Sequence, residues 1–320
     1  MSSVPVGAAI RVRAPASSAN LGPGFDSIGL ALGVWDEVDV EVTAEPGLRI
    51  DVSGQGSAGV PRDESHLVYR SMVRSFERIG LPVPAGLHLV ARNAVPHGRG
   101  MGSSATAIVA GVVAAQGLSA FSAGAPPVPG EAIAVDLAAA NTLASDLEGH
   151  PDNASASIYG GLTLSWTADP GDPHAGSTVT VRLPIHPDVT AVVFVPETTL
   201  ATHTARAMLP DRVPLRDAAR NSARAALLVE AASRRPDLLV PATRDWLHQE
   251  ARRPSYAASM ALVDHLRSRG FAAFVSGAGP SVLTLVTRDR SADVTAPGPD
   301  GVWLRLEPGI PTEGAQVRSR

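Results

Sequence analysis

Apolar and polar residues alternate with a period of two at Ile10–Ala14, Val38–Val42, Leu48–Val52 and Leu87–Ala91, which predicts a strand-rich first hundred residues. The period lengthens at Leu67, Val68, Met72, Val73 and Phe76, and again at Ile108, Val109, Val112 and Val113, each set predicting a helix. Asp136 to Leu147 reads as a third. Gly124, Pro126, Pro127, Pro129 and Gly130 break the chain between the second and third helices as a surface loop. Strand patterns at Leu162–Trp166 and Val179–Leu183 flank ADPGDPHAGS (168–177), either a hairpin loop or an interdomain turn. Beyond it come a β-rich run at Thr190–Val195, helical spacing at Leu215–Ala232 and Tyr256–Gly270, and strands at Phe271–Val275 and Val282–Thr287. The tail Gly309–Arg320 is polar and expected to fray. Hairpin-like spacing with interspersed helices is an α+β pattern, not the regular βαβ alternation of a doubly wound sheet.

A chain of 320 residues, 44% hydrophobic, exceeds one ordinary core and predicts two domains, divided as 1–167 and 168–320. No apolar run reaches ~18 residues and the N-terminus lacks a basic, then apolar, leader, so no membrane span or signal is expected and the cytoplasm is the default. A net charge of -4 and 4% aromatic residues give no nucleic-acid footprint, which leaves a small-molecule partner. Two absences exclude more. There is no Cys, and all 27 basic residues are Arg. Thiolate nucleophiles, disulfides and Cys-held metals are excluded, as are Schiff bases, the Walker A loop and the strand Lys of protein kinases. A GC-rich genome accounts for such composition, but the chemical exclusion stands.

The turn Pro96-His97-Gly98-Arg99-Gly100-Met101-Gly102-Ser103-Ser104-Ala105-Thr106 opens directly into the second helix. Alternate glycines let backbone N–H groups approach an anion, and a helix N-terminus adds unpaired N–H groups and the positive end of its dipole. Phosphate fits this cradle. Arg99 either adds a cation to it or faces solvent. Three other clusters concentrate turn chemistry: PASSANLGPGFD (15–26), EGHPDN (148–153) and SGAGPS (276–281). Each alone is what loops are made of.

Together the clusters resemble the ordered motifs of the superfamily of galactokinases, homoserine kinases, mevalonate kinases and phosphomevalonate kinases, over residues 10 to 287. PASSANLGPGFDSIGLAL and EGHPDN are most similar to the homoserine kinases. The resemblance implies an N-terminal ribosomal-S5-like domain with the ATP loop and a C-terminal ferredoxin-like domain, the site lying between them. It implies ATP and Mg²⁺ as cofactors and L-homoserine as substrate, with Asn20, Asp26, His150 and Asn153 in the substrate pocket and Asp26 toward its ammonium. Arg206 and Arg252 match the positions of substrate-binding Arg; LHQEARRP departs from the family's HxPYRxP, so Arg253 stands as the alternative to Arg252. Arg suits bidentate carboxylate capture. A homodimer is left open.

For Mg²⁺ the resemblance offers Ser104 with Asp146 first and Glu148 second. Asp152 invites the role of base beside Asn153 and Arg206, although the homoserine kinases carry Asn at the base position of their relatives; a loose phosphoryl-transfer transition state needs little proton removal. SGAGPS is expected to pack beside the phosphate loop, and His97, His203 and His248 to be structural. Three rivals remain: a kinase for another small alcohol, kept open by the residues around Arg252; a non-catalytic nucleotide-binding regulator; and a serine hydrolase using Ser103 or Ser104 with His150 and Asp152. The last lacks the G-x-S-x-G elbow.

Overall fold

The alternation at the N-terminus builds a long antiparallel pair, β1 (Ala9–Asn20) and β2 (Gly24–Val42), in a computed structural model that describes residues 3–122, 127–200, 202–298 and 302–320. Register shifts at Pro15/Ala16 and Ala19/Asn20 bend β1 toward its turn. β3 (Gly47–Gly54) runs parallel to β4 (Gly86–Asn93), joined by helix α1 (Leu67–Ile79). Helices α2 (Ser103–Ser119), α3 (Leu137–Glu148) and α4 (Pro151–Tyr159) follow, then the hairpin β5 (Leu162–Thr167) and β6 (Thr178–Leu183). Part of the proline-rich loop, residues 123–126 with Gly124 and Pro126, lies outside the described residues.

Helix α2 is apolar on every side, as a helix enclosed by neighbours must be. With the turn that follows, Ser103–Ser122 is long and apolar enough to cross a membrane, against the expectation of no such run, but 67% of its apolar window is buried inside the protein. Ile108, Val109, Val112 and Val113 pack there against Ile10, Val12, Val38, Leu89, Met72 and Phe76.

The second sheet comprises β7 (Val189–Pro196), β8 (Ala272–Val275), β9 (Val282–Thr287) and β10 (Trp303–Leu306), in the order β10-β7-β9-β8 with every neighbour antiparallel. That is the split ferredoxin-like order expected of the second domain. Between β7 and β8 lie α5 (Thr202–Arg206), α6 (Leu215–Ser233), α7 (Leu239–Ala242), α8 (Gln249–Arg252) and α9 (Ala257–Ser268). A 3₁₀ turn, Arg288–Asp293, replaces the second crossover helix. Continuous hydrophobicity in β7 is explained by burial on both faces: Val192 and Phe194 meet Met260, Val263 and Leu266 of α9, while Ala191 and Val193 join Leu228 and Phe274. The same cluster takes in Ile28, Leu30 and Leu32 of β2, so one core spans both sheets.

Two expectations need correction. The tail does not fray: β11 (Gln316–Ser319) pairs antiparallel with β1, burying Val317 and Ser319. Alternation of Gln316, Val317, Arg318 and Ser319 across a sheet edge supplies the order that its polarity concealed. The division at 167/168 also moves, because β6 belongs to the seven-stranded first sheet, order β11-β1-β2-β4-β3 with β5 and β6 beyond β2. The loop at 168–177 is the hairpin turn of β5 and β6, and the chain passes to the second sheet only after Leu183.

Candidate active site

Gly98, Gly100 and Gly102 have φ of 63°, 73° and 69°, left-handed values that L side chains rarely adopt. A Cβ at Gly100 would overlap the Ser276 carbonyl oxygen, and one at Gly102 the Ser17 hydroxyl. Clamping is mutual: Ser276 donates its hydroxyl to Gly100 O at 2.6 Å, Ser281 N–H to Arg99 O at 3.2 Å, and Ser17 N–H to Met101 O at 3.1 Å. The SGAGPS turn thus does pack beside the glycine loop. Gly102 caps α2 with no side chain, leaving the amides of its first turn for a ligand.

Gly98, Gly100, Gly102, Ser103 and Ser104 line one end of a cleft of about 150 Å³ between the two sheets. The other residues of the expected ATP segment support it from behind. Met101 is fully buried, and Thr106 spends its hydroxyl on Gly102 O and Pro15 O. Pro96, His97 and Ala105 do not line the cleft. Arg99 does not line the cleft: its guanidinium donates to Pro196 O and Glu197 O, both at 2.8 Å, and to His97 O, fastening the loop to the end of β7.

The other end of the cleft is charged. The β1–β2 turn and the start of β2 carry three non-glycine residues with positive φ, Asn20, Leu21 and Asp26, a strained backbone held in place by the packing around it. Asn20 accepts the Asp26 N–H at 3.0 Å and donates to Gly277 O at 3.2 Å, tying turn to turn across the sheets. Arg206 clasps Asp26 with two bonds, 2.6 and 3.1 Å. Phe25 has two guanidinium groups within cation–π reach of its ring, that of Arg206 at 5.7 Å and that of Arg252 at 5.8 Å from the centroid. Arg252 is 2% exposed, donates to Ala205 O at 3.0 Å, and still lines the cleft. Arg253 instead sits on the surface, held by Glu250 and Asp264.

Between the ends stand the residues of EGHPDN. Ser104 donates its hydroxyl to Glu148 at 2.8 Å. Burial pushes the Glu148 carboxyl up, against the Ser104 bond and His150, with Asp152 pushing it further. The preference for Asp146 is corrected: it lies exposed, beside Arg74, Glu77 and Arg78 in a separate groove, because residues two apart on a helix point about 200° apart. Asp152 is 1% exposed, and its Oδ1 already accepts from Asn153 N–H at 2.7 Å and meets His150 Nδ1 at 2.8 Å. Burial pulls the His150 imidazole down, but Asp152 and Glu148 outweigh it and its pKa is raised. Asn153 accepts the Ser17 hydroxyl at 3.0 Å.

Asn20, Asp26, His150, Asp152, Asn153, Arg206 and Arg252 therefore all line one cleft. Phe25, Gly277 and Ala278 line it too; all three stand in the quoted clusters but were not named as site residues. Phe25 stood in the quoted cluster, but an aromatic beside a glycine carries no sign in sequence of what it stacks on. His203 has no described side chain, and among the described residues no three His, Asp or Glu groups form a metal cluster.

A glycine cradle at a helix N-terminus, sharing a cleft with carboxylate and guanidinium groups between an S5-like and a ferredoxin-like domain, defines a small-molecule kinase of the GHMP class. The family model for the GHMP kinases N terminal domain matches residues 66–161, and that for the GHMP kinases C terminal matches residues 223–296. Homoserine kinase of Streptomyces coelicolor is 49% identical over 311 residues, 97% of this chain and 94% of that one. Homoserine kinase of Streptomyces avermitilis is 47% identical over 310 residues, 97% and 96% of the two. The chain belongs to the GHMP kinase family, on its homoserine kinase branch. The crystal structure of homoserine kinase from Cytophaga hutchinsonii has the same fold, with a TM-score of 0.77 at 24% identity over 97% of each chain.

Proposed function

We propose that the chain transfers the γ-phosphoryl group of ATP to the side-chain hydroxyl of L-homoserine, giving O-phospho-L-homoserine and ADP, the activation step that precedes threonine formation. One observation carries this reading: a single cleft holds an anion cradle at one end and the Asp26, Arg206 and Arg252 groups at the other. A zwitterionic amino acid needs a carboxylate for its ammonium and guanidinium groups for its carboxylate, and charge-assisted bonds of this kind are the strong ones. Asp26 takes the ammonium; Arg206 and Arg252 take the carboxylate, the substrate replacing part of the Asp26–Arg206 pair. Asn20, His150 and Asn153 form the wall along which the hydroxyl reaches the phosphate.

The Ser104 hydroxyl and Glu148 carboxylate, 2.8 Å apart beside the first turn of α2, are hard oxygens of the kind Mg²⁺ takes together with phosphate oxygens and water. They fit that ion. Bound there, Mg²⁺ would neutralise charge on the transferring phosphate. The free amides at the start of α2 bind phosphate oxygens, and the second-domain turn at Gly277 and Ala278 closes the far side. The hydroxyl oxygen forms a bond to the γ-phosphorus as the bond to the ADP oxygen breaks, and the hydroxyl proton passes late to an oxygen of the transferred phosphoryl group and from there to water. Positioning and charge neutralisation carry the rate. Asp152 orients His150 and the start of α4. The setting is the cytoplasm, with ATP and L-homoserine as the small-molecule partners.

The test is ADP release, followed by a coupled assay, across homoserine, mevalonate, galactose and shikimate. Release with homoserine far above the others is expected. Equal or greater release with another alcohol overturns the substrate, and ATP binding without release overturns the activity.

A further inference from the structure

His248 reads in sequence as an isolated structural histidine, yet its surroundings assign it a narrower task. It is 1% exposed and belongs to neither end of the cleft. Its Nε2 lies 2.8 Å from Gly22 O in the strained β1–β2 turn, and its Nδ1 lies 3.4 Å from Arg252 NH1. A carbonyl oxygen only accepts and a guanidinium only donates, so the two neighbours fix the tautomer: Nε2 carries the proton and Nδ1 presents its lone pair to Arg252. A second proton would set an N–H against a guanidinium. Burial, and Arg252 itself, hold the imidazole below its ordinary pKa, although Asp245, the Gly22 carbonyl and Asp26 pull the other way.

Several contacts keep the ring in place. Its centroid is 5.3 Å from that of Phe25, whose ring has the guanidinium groups of Arg206 and Arg252 within 5.8 Å. Asp245 caps the backbone N–H groups of Leu247, His248 and Gln249 at 2.8 to 3.0 Å. A Cβ at Gly22 would overlap the Thr243 carbonyl, so the turn that receives the His248 proton is itself pressed against the second domain.

We propose that His248 is the positioning residue for substrate carboxylate recognition: a neutral imidazole that holds the buried Arg252 guanidinium toward the cleft and locks it to the turn bearing Asp26. Arg252 is held at Nε by Ala205 O and at NH1 by His248, which leaves NH2 for the ligand. Without the imidazole acceptor the guanidinium loses one of two fixed contacts and turns away from the position that matches the carboxylate, while the phosphate end is untouched. The inference rests on the reading of Arg252 as a carboxylate group of the homoserine site.

Steady-state kinetics of the full chain test it. His248→Ala is expected to raise the KM for homoserine about tenfold or more, with the KM for ATP within about twofold and kcat within about threefold. His248→Asn, whose side-chain oxygen takes the place of Nδ1, should restore the homoserine KM to within about threefold; His248→Gln reaches Gly22 but offers Arg252 no acceptor and should behave as Ala. In an Arg252→Ala background, His248→Ala should add nothing. Equal KM values for Gln and Asn, parallel losses toward homoserine and ATP, or additivity with Arg252→Ala would each overturn the inference, and the Asn–Gln comparison decides it even if the Ala variant does not fold. An unchanged homoserine KM in Arg252→Ala overturns the carboxylate reading itself, and the inference with it.

Discussion

Two adjacent arginines show how little a residue's type says without its surroundings. Arg252 is sequestered against Ala205 O, His248 and Phe25, whereas Arg253 spends its charge on Glu250 and Asp264 at the surface. Arg252→Ala is expected to raise the KM for homoserine about thirtyfold or more, the scale of a lost buried charge partner. Arg253→Ala should leave it within about twofold, since exposed pairs contribute ~1 kcal/mol or less. Comparing the two KM values checks both. The same reasoning bears on Asp152, whose Oδ1 serves His150 and Asn153. Asn at 152 keeps that acceptor, so Asp152→Asn should retain more than about a hundredth of native kcat, whereas removal of a general base costs ~10²–10⁴-fold. A fall into that range in a folded variant would restore the base. Which of two neighbouring groups faces a cleft was not legible: Arg252 versus Arg253, like Asp146 versus Glu148, depends on rotation about a helix axis that a motif match leaves unfixed.

Elements were read best where periodicity was strong and worst where tertiary contacts supplied the order. The strands at Ile10, Val38, Leu48 and Leu87 and the helices at Leu67 and Ile108 lie where alternation and helical spacing put them. The glycine loop was legible as a cradle because positive φ needs glycine, but its fastening was not: Arg99 reaching Pro196 O and Ser276 reaching Gly100 O join residues far apart in the chain. Gly100→Ala should therefore weaken ATP binding, raising its KM about tenfold or more, because the added carbon meets the Ser276 backbone and the residue leaves its preferred conformation. Asp36 anchors the approach to this loop, its Oδ1 accepting the Ala94 and Val95 N–H groups at 2.7 and 2.9 Å. Burial pushes its carboxyl up to about 6 against those two bonds. With the folded pKa above the unfolded value, the folded state holds the proton more tightly. Stability from this group is therefore present below pH ~4 and lost as pH rises through about 6, a difference on the order of 3 kcal/mol. Asp36→Asn should flatten the pH dependence of Tm between pH 4 and 6 and raise Tm near pH 7 relative to the native chain. An unchanged slope would show that Asp36 titrates normally.

At the scale of the molecule, two domains were expected from length, and two sheets are present, but the chain does not hand one cleanly to the other. β6 stays with the first sheet and β11 returns to it after the second is complete, edging β1 with Val317 facing the core near Ile10 and Gly117. That return was invisible because four residues with one apolar side chain give no periodic signal; the pairing partner supplies it. Its position matters for the site, since β1 runs from this edge to the strained turn at Asn20, and Ala315 N–H bonds to Ser157 O on α4. The last strand thus braces both elements that carry cleft-lining groups. Ending the chain after Pro311 would remove the β1–β11 ladder, the Ile133–Val317 and Ser319–Glu131 bonds, and the burial of Val317. Losses of about 1 kcal/mol for each exposed hydrogen-bonding group and about 2 kcal/mol for the valine predict a fall in Tm of roughly ten degrees or more. Because one core joins Ile28, Leu30 and Leu32 to Phe274 and Leu228, both sheets should still unfold in a single calorimetric transition, shifted as a whole. Two separated transitions in the truncated chain, with the later one at the native Tm, would mean that the second sheet stands alone and that the shared core does not couple it to the first.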